Sequence, residues 1–291
     1  MSKHKFYRKK AIISGNQIEL HEHENPVVYG FTGKRGGRTA GVSGSSPRSG
    51  EYRKRVTNKA KYDLIRLVNV NFTSAGMGRT GDSYKFITLT FREGSISNVT
   101  DVKQAYIEFK KYARKLREVC RKQGREFKYI TVVEFQDKNK RGAVHFHAIM
   151  DIPVIPVTRE VAEEWKREGK LPHDYNVKTN HYDMWGHGSV TVKAIKESNH
   201  KKETSKVIET LDVGEYVARY MVKDFGDPRL QGNKVYSPSQ GLKKPQVVYD
   251  TEAEQAVEGL GKENMVRGGS YTNTHHNNTV KYVKFNKLKT K

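Results

Sequence analysis

The clearest pattern in the sequence is a short run, residues 142–150, in which apolar and polar side chains alternate. Successive side chains of a β-strand point to opposite faces, so this run is typical of a strand. His145 and His147 then share one face of the strand, while Val144 and Phe146 share the other. The pattern therefore predicts a rigid strand that presents two imidazole rings side by side.

The segments before this strand show strand and helix patterns in turn. Residues 84–91 are rich in aromatic and β-branched side chains, which favours a buried strand. Residues 101–123 carry apolar side chains at the helical period, with Thr100 as N-cap and Gly124 as the stop. Residues 127–136 form a further strand pattern and reach the histidine strand through a short polar turn. Two strands joined so closely predict an antiparallel hairpin.

The segments after the histidine strand continue the alternation. Residues 158–169 have a helical pattern, and residues 189–195 alternate as a strand does. Asp212 is a candidate N-cap for a helix that includes residues 215–225, and Gly226 ends it. The whole order is strand, helix, hairpin, helix, strand, helix. It predicts an α+β fold, in which an antiparallel sheet of about five strands is flanked by helices.

The flanking segments are basic and polar. Residues 1–75 are expected to form an extension that contains a Gly/Ser-rich linker at 33–50 and a helix at 50–71. Residues 76–226 form the central domain. Residues 227–291 are expected to form a second extension, which ends in a mobile basic tail.

The polar face of the helix at residues 50–71 carries a cluster of cations. They are candidates for contacts with DNA phosphates, and the alternative is that they form only a solvated face. These residues are Arg53, Lys54, Arg55 and Lys59.

The charge of the chain narrows the class of partner. Lys and Arg number 54 against 32 Asp and Glu, a net charge of +22. Such an excess favours a polyanion, most often nucleic acid. Cys120 is the only cysteine, which excludes an intramolecular disulfide and a cysteine-based zinc finger. The sequence has no apolar run that could span a bilayer and no secretory signal pattern, so we expect a cytoplasmic protein without a membrane role.

The two histidines of the alternating strand are half of a metal site. The other arm of the hairpin offers Glu134 and Gln136, whose strand parity places them on the histidine face. We favour Glu134 as the third ligand, because a carboxylate holds a hard cation better than an amide does, and Gln136 is the alternative. Two imidazoles with a carboxylate suit Mg²⁺ or Mn²⁺, although zinc also fits. A second His-x-His motif at residues 21–23 is given no role, because no alternating apolar run surrounds it.

The helix near residue 216 offers a nucleophile. Tyr216 and Tyr220 lie one turn apart and face the same way. Arg219 and Lys223 each follow a tyrosine by three residues, so each phenol has a cation one turn further on. A nearby cation favours the phenolate and also attracts a phosphate under attack. The alternative is that both tyrosines only pack against the core.

Three motifs taken together resemble one known family. They are Phe-Ile-Thr-Leu-Thr-Phe at 86–91, His-Phe-His at 145–147 and Tyr-Val-Ala-Arg-Tyr-Met-Val-Lys at 216–223. Their order is that of the rolling-circle replication initiators among the HUH endonucleases, and the chain is most similar to two-tyrosine initiators of small bacterial plasmids and single-stranded DNA phages. The segments Trp185-Gly-His-Gly and Gly241-Leu-Lys-Lys-Pro245 are similar to the same group.

The resemblance implies an RRM-like HUH catalytic domain at residues 76–226. It implies a metal-dependent, site-specific nick in single-stranded or hairpin origin DNA, with a 5′-phosphotyrosyl intermediate, a 3′-hydroxyl primer and later rejoining. His145 and His147 would be the metal ligands, and Tyr216 or Tyr220 the nucleophile. Arg219 stands where a lysine is common in the family, which leaves the working tyrosine open.

The same resemblance limits the partners and leaves alternatives. The chain has no Gly-x-x-x-x-Gly-Lys-Ser/Thr motif, so we expect no helicase activity and no small-molecule cofactor. A host helicase and DNA polymerase would supply unwinding and synthesis. The alternatives are a transposase or relaxase with the same chemistry, a nuclease that hydrolyses with water, and a non-catalytic basic protein that binds single-stranded DNA.

Overall fold

The computed structural model covers most of the chain. It describes residues 5–29, 48–73, 84–122, 124–137, 141–152, 159–170, 175–176, 181–199, 201–204, 207–230, 234–273 and 277–289. Within these ranges, the side chains of residues 48–56, 122, 159–162, 175–176 and 181–183 are not described. Most of the predicted linker at residues 33–50 therefore lies outside the described residues.

The described residues form strands and helices close to the predicted ones. The strands are β1 (Lys5–Ser14), β2 (Gln17–Tyr29), β3 (Tyr84–Thr90), β4 (Lys128–Gln136), β5 (Ala143–Asp151), β6 (Tyr175–Asn176), β7 (His181–Tyr182), β8 (Val190–Glu197), β9 (Lys202–Glu203), β10 (Val207–Thr210), β11 (Tyr236–Pro238), β12 (Gln246–Tyr249), β13 (Met265–Asn273) and β14 (Asn278–Asn286). The helices are α1 (Arg48–Asn71), α2 (Val102–Lys122), α3 (Arg159–Arg167), α4 (Val213–Met221) and α5 (Asp250–Val257).

The chain divides into two compact units. One unit joins Met1–Lys59 to Lys244–Lys291, and the other is Ala60–Lys243. We call them the terminal unit and the central unit. The domain bounds expected from composition, at residues 75 and 226, stay a prediction about domains, since the two units are defined by contacts alone.

The central unit is built on one sheet with the strand order β11-β4-β5-β3-β8-β10-β9. Every neighbouring pair in it is antiparallel except β8 and β10, which run parallel. The five inner strands correspond to the predicted sheet of about five, and the very short strands β11 and β9 extend its two edges. The predicted α+β class, with an antiparallel sheet flanked by helices, is confirmed.

Helices cover both faces of this sheet. Helix α2 packs its apolar side on one face, where Phe109 and Leu116 meet Phe146 of β5 in a buried core. Helices α1 and α4 share the other face, where Val68 and Val217 meet a second core. Since side chains alternate along β5, the histidines of this strand lie on the face that α1 and α4 cover.

The terminal unit pairs the two ends of the chain in one sheet, with the order β12-β1-β2-β14-β13. Helix α5 covers part of it, and Ala253 packs with Ala11, Ile18 and Val248 in a small core. Two predictions are wrong here. The His-x-His motif at 21–23 lies inside strand β2, and the expected mobile tail from residue 268 forms much of β13 and β14. Pairing between distant strands orders both polar segments, which local apolar periodicity does not reveal.

A close backbone contact sets the position of helix α4. A Cβ added to Gly214 would lie 2.4 Å from the carbonyl oxygen of Ile65 on α1, a separation that real side chains do not reach. The Asn69 side chain bridges the two helices, because its oxygen accepts from the Gly214 N–H at 2.8 Å and its amide donates to Asp212 at 3.0 Å. Asp212 in turn caps α4 by accepting from the N–H of Glu215. Helix α4 is thus anchored to α1 at its first turn.

We predict that Gly214→Ala lowers the free energy of unfolding by about 1–3 kcal/mol, because the added methyl group forces α4 away from α1. Urea unfolding followed by circular dichroism measures the loss. Gly226→Ala is the matched control, since a Cβ there meets nothing within 4 Å. Equal stability of the two variants would show that the contact does not hold the helix.

Candidate active site

The histidine strand β5 lies between β4 and β3, which places three polar side chains around the imidazoles. His145 is directly opposite Glu134 of β4 and Thr90 of β3, and His147 is opposite Thr88 of β3. Paired residues of antiparallel strands have their side chains on the same face. The predicted grouping of His145, His147 and Glu134 on one face is therefore present.

A chain of hydrogen bonds fixes His147. Its Nε2–H donates to Oε2 of Glu134, and its Nδ1 accepts from the Thr88 hydroxyl at 3.1 Å. The ring of Phe86 stacks on the imidazole, with the centroids 5.7 Å apart and the planes at 5°. The other carboxylate oxygen of Glu134 accepts from Nζ of Lys223 at 3.0 Å. His147 is thus held in one orientation and one tautomer.

The charges of this group follow from its surroundings. The hydrogen bond from His147, supported by Lys223, lowers the pKa of Glu134 to about 2, although burial opposes it. Burial lowers the pKa of His145 to about 4, and the neighbouring His147 lowers it further. At neutral pH the face therefore carries a carboxylate beside a neutral imidazole. Both are in the form that a metal ligand requires.

The donor set fits a divalent cation in kind. Nε2 of His145 is buried and has no hydrogen-bond partner among the described residues, so it offers a free lone pair. His147 and Glu134 already share one proton between two good donor atoms. As the side chains are arranged, however, no group of three His, Cys, Asp or Glu in the described part of the chain has the geometry to hold a metal ion. Gln136, the alternative ligand, accepts from Arg141 at 3.2 Å.

Helix α4 places both tyrosines on the histidine face. The Tyr220 ring lies 6.4 Å from the ring of His147 and 5.6 Å from that of Phe86, measured between centroids. The Tyr216 hydroxyl donates to the Tyr220 hydroxyl at 3.4 Å. The tyrosines, predicted from their spacing to face one way, therefore lie together over the sheet, with Tyr220 beside His147.

The two phenols have different surroundings. Tyr216 is buried, whereas Tyr220 is half-buried. Burial raises the pKa of Tyr216 well above its usual value, and hydrogen bonds with Tyr220 and Glu203 raise it further. Glu203 of β9 has a lowered pKa, because Tyr216 and Lys193 both donate to its carboxylate. Sequence reasoning missed Glu203, since it lies in a charged segment with no pattern that links it to α4.

The two cations of the tyrosine motif separate in the structure. Arg219 is on α4, exposed, and makes no hydrogen bond or ion pair with the described residues. Lys223 lies beyond Met221, the last residue of α4, and contacts Glu134. The expected helix through residue 225 is therefore too long. Lys223 is a partner of the carboxylate and not a continuation of the tyrosine face.

The segment Trp185–Gly188 holds the end of β3 beside the histidines. The indole N–H of Trp185 donates to the carbonyl of Thr90 at 2.7 Å. A Cβ on Gly188 would lie 2.4 Å from the same carbonyl oxygen, so only glycine fits there. His187 is bound to Glu108 of α2 at 3.1 Å. Because Thr90 is opposite His145, this segment supports the histidine face from the side of β3.

The four cations predicted to contact DNA lie on α1. The Lys59 side chain is exposed. The side chains of Arg53, Lys54 and Arg55 are outside the described part, so their contact with DNA stays a prediction.

Comparison with known proteins gives one family. Residues 84–225 match a family model described as Replication-associated protein ORF2. This is a family of rolling-circle replication initiators. The matched segment, just under half of the chain, runs from β3 to the end of the tyrosine motif. It contains both histidines, Glu134 and both tyrosines. The central unit is thus similar to replication-associated proteins over its candidate site.

The other comparisons add no relative. No curated protein and no solved structure matches the chain significantly. Among the described residues, no helix is both long enough and apolar enough to cross a membrane.

We predict that Trp185→Phe lowers the free energy of unfolding by about 1–2 kcal/mol, because it leaves the Thr90 carbonyl without its donor. Thermal and urea unfolding measure the change. The control is Trp165→Phe, since the Trp165 indole has no hydrogen-bond partner in the described part of the structure. A loss no larger than that of the control would mean that the indole hydrogen bond contributes nothing.

Proposed function

We propose that this protein starts rolling-circle replication by nicking and rejoining single-stranded or hairpin DNA at an origin. The observation that carries the proposal is the placement of Tyr220 beside His147 on one face of the central sheet, with a ring separation of 6.4 Å. The match to replication-associated proteins over residues 84–225 supports it. The net charge of +22 suits a DNA substrate.

The proposed reaction is a transesterification on one phosphodiester. A tyrosine hydroxyl loses its proton, and its oxygen attacks the phosphorus while the bond to the 3′ oxygen breaks. The released oxygen takes up a proton and becomes the 3′ hydroxyl that primes synthesis. The 5′ phosphate stays on the tyrosine until a second hydroxyl attacks it and restores the DNA backbone. Each step exchanges one phosphoester for another, so the energy of the bond is kept.

The residues around the tyrosines have separate parts in this proposal. Arg219, exposed on the tyrosine helix, is placed to bind the phosphate that flanks the cleaved bond. His145, His147 and Glu134 would hold Mg²⁺ or Mn²⁺, which would polarise a non-bridging oxygen of the phosphate and offset the growing charge. Lys223 neutralises and orients Glu134, and Thr88 orients His147.

We infer that Tyr220 makes the first attack and Tyr216 the second. Tyr220 is the more exposed phenol and the one beside His147. Tyr216 is buried, and its raised pKa makes deprotonation costly until the DNA or a movement of Tyr220 changes its surroundings. Glu203 is placed to receive the proton of Tyr216 at that stage, because the two groups already share a hydrogen bond.

The proposal extends to the partners. The chain has no P-loop motif, so strand separation would come from a host helicase and synthesis from a host polymerase, in the cytoplasm of a bacterial host. The tyrosine chemistry itself needs no nucleotide cofactor.

We predict that Tyr220→Phe abolishes the first nick, because the attacking hydroxyl is gone. We expect Tyr216→Phe to nick once and to fail in rejoining. The measurement uses labelled single-stranded origin DNA with Mn²⁺, and it scores both cut DNA and a denaturant-resistant protein–DNA band. Tyr62→Phe is the control, since Tyr62 is an exposed tyrosine of α1 outside the site.

Three results would contradict this proposal in different ways. Cutting without a covalent band, unchanged in the double variant, would indicate hydrolysis by water. Tight binding without any cutting would indicate a binding protein. A first nick by Tyr216 alone would reverse the inferred order of the two tyrosines.

We predict that millimolar Mn²⁺ raises the melting temperature of the wild type, since a cation bound only by the folded state stabilises it. The shift should be lost in His145→Ala and strongly reduced in Glu134→Gln. The control is His23→Ala, which alters the second His-x-His motif in the terminal unit. An equal Mn²⁺ shift in the His145 variant would exclude this face as the metal site.

A further inference from the structure

Helix α2 carries a line of cations on the side that faces solvent. The line follows spacings of seven, four, three and four residues, which keep its members on one stripe of a helix. All five side chains are exposed. We call this set the α2 stripe, and it consists of Lys103, Lys110, Arg114, Arg117 and Arg121.

The charges of the α2 stripe are largely uncompensated. Arg121 is bonded to Glu118 on the flank of the helix. The other four cations have no ion pair or hydrogen bond with any described residue. The acidic residues of the helix are Glu108, which pairs with Lys111 and His187, and Glu118. Neither stands on the stripe, so its field is of one sign.

The stripe lies behind the candidate active site. Helix α2 packs on the Phe146 face of the central sheet, whereas His145, His147 and α4 lie on the opposite face. A strand of DNA at the tyrosines therefore does not reach the stripe through the sheet. The chemistry of the proposed reaction leaves these cations without a role.

We propose that the α2 stripe binds the phosphate backbone of duplex DNA. A rigid helix holds the cations in a straight line about 27 Å long, at about 1.5 Å per residue. That length corresponds to about eight base pairs of a duplex, whose phosphates are regularly spaced. The large side chain exposed among the cations is Ile107, and no aromatic ring stands on the stripe. Single-strand sites use aromatic stacking as well as charge, so the stripe favours a duplex.

The stripe would give the protein a second contact with DNA, independent of nicking. It reads no bases, because its groups are phosphate ligands, so it would bind duplexes of any sequence. It would hold duplex DNA on the side of the central unit opposite the tyrosines.

The test is the salt dependence of binding to a duplex of about 20 base pairs, a site length within the usual range. The variant is Lys110→Gln with Arg114→Gln and Arg117→Gln, three exposed residues whose loss breaks no described contact. Each lost phosphate contact lowers the slope of log K against log salt by about 0.9, so the slope should fall by about 2 to 3. Anisotropy of a labelled duplex at several salt concentrations gives the slope.

The control removes the same charge from another surface. Lys262→Gln with Lys281→Gln and Lys287→Gln changes three exposed lysines of the terminal unit. We expect the α2 variant to lose much more slope than this control. Equal losses would show that net charge, and not the stripe, drives binding, and would overturn the proposal.

Two further measurements keep the inference separate from the proposed function. On single-stranded DNA of the same length, the α2 variant should keep the wild-type slope, and an equal fall there would refute the choice of a duplex. Thermal unfolding shows that the variant is folded, since an unfolded protein would lose binding for another reason. Nicking of a short single-stranded substrate should be unchanged, and its absence in the wild type would count against the proposed function alone.

Discussion

The helix that carries Tyr216 and Tyr220 is held in place by a backbone contact without side-chain bulk. At Gly214, the chain of α4 approaches the carbonyl of Ile65 so closely that any Cβ would clash. Asn69 and Asp212 complete the joint with three hydrogen bonds, to Gly214, Glu215 and each other. This joint sets where the tyrosines stand over the sheet. A small displacement of α4 would move the phenols away from His147, and reactivity in such sites depends on positions held within an ångström.

The sheet beneath the helix carries a polar group on its inner face, among apolar neighbours. Aromatic and aliphatic side chains of the core surround the group that His147 and Glu134 form. This apolar shell keeps His145 neutral through burial and strengthens the bond between His147 and Glu134. The same shell raises the pKa of Tyr216, so burial acts in opposite directions on the two kinds of group. A carboxylate, neutral imidazoles and protonated phenols can therefore lie side by side at neutral pH.

The distribution of charge divides the central unit into two sides. The tyrosine side combines cations with carboxylates that orient them, as Lys223 with Glu134 and Lys193 with Glu203. The α2 side carries cations with few such partners. Paired charges hold a geometry, whereas unpaired charges act at a distance and depend on salt. The two sides thus suit different tasks, one in chemistry and one in general attraction for a polyanion.

The sequence alone determined what depends on local period. The alternation in β5 placed His145 and His147 on one face, and the hairpin placed Glu134 opposite them, because strand parity follows directly from residue spacing. The turn between Tyr216 and Tyr220 followed from the helical period in the same way. Only the tertiary structure decided which partner each group has. Glu203 beside Tyr216, and Lys223 bound to Glu134, join elements that are far apart in the chain. The pairing of β1 with β12 and of β2 with β14 was hidden for the same reason, since their polar sequences become ordered only through a distant strand.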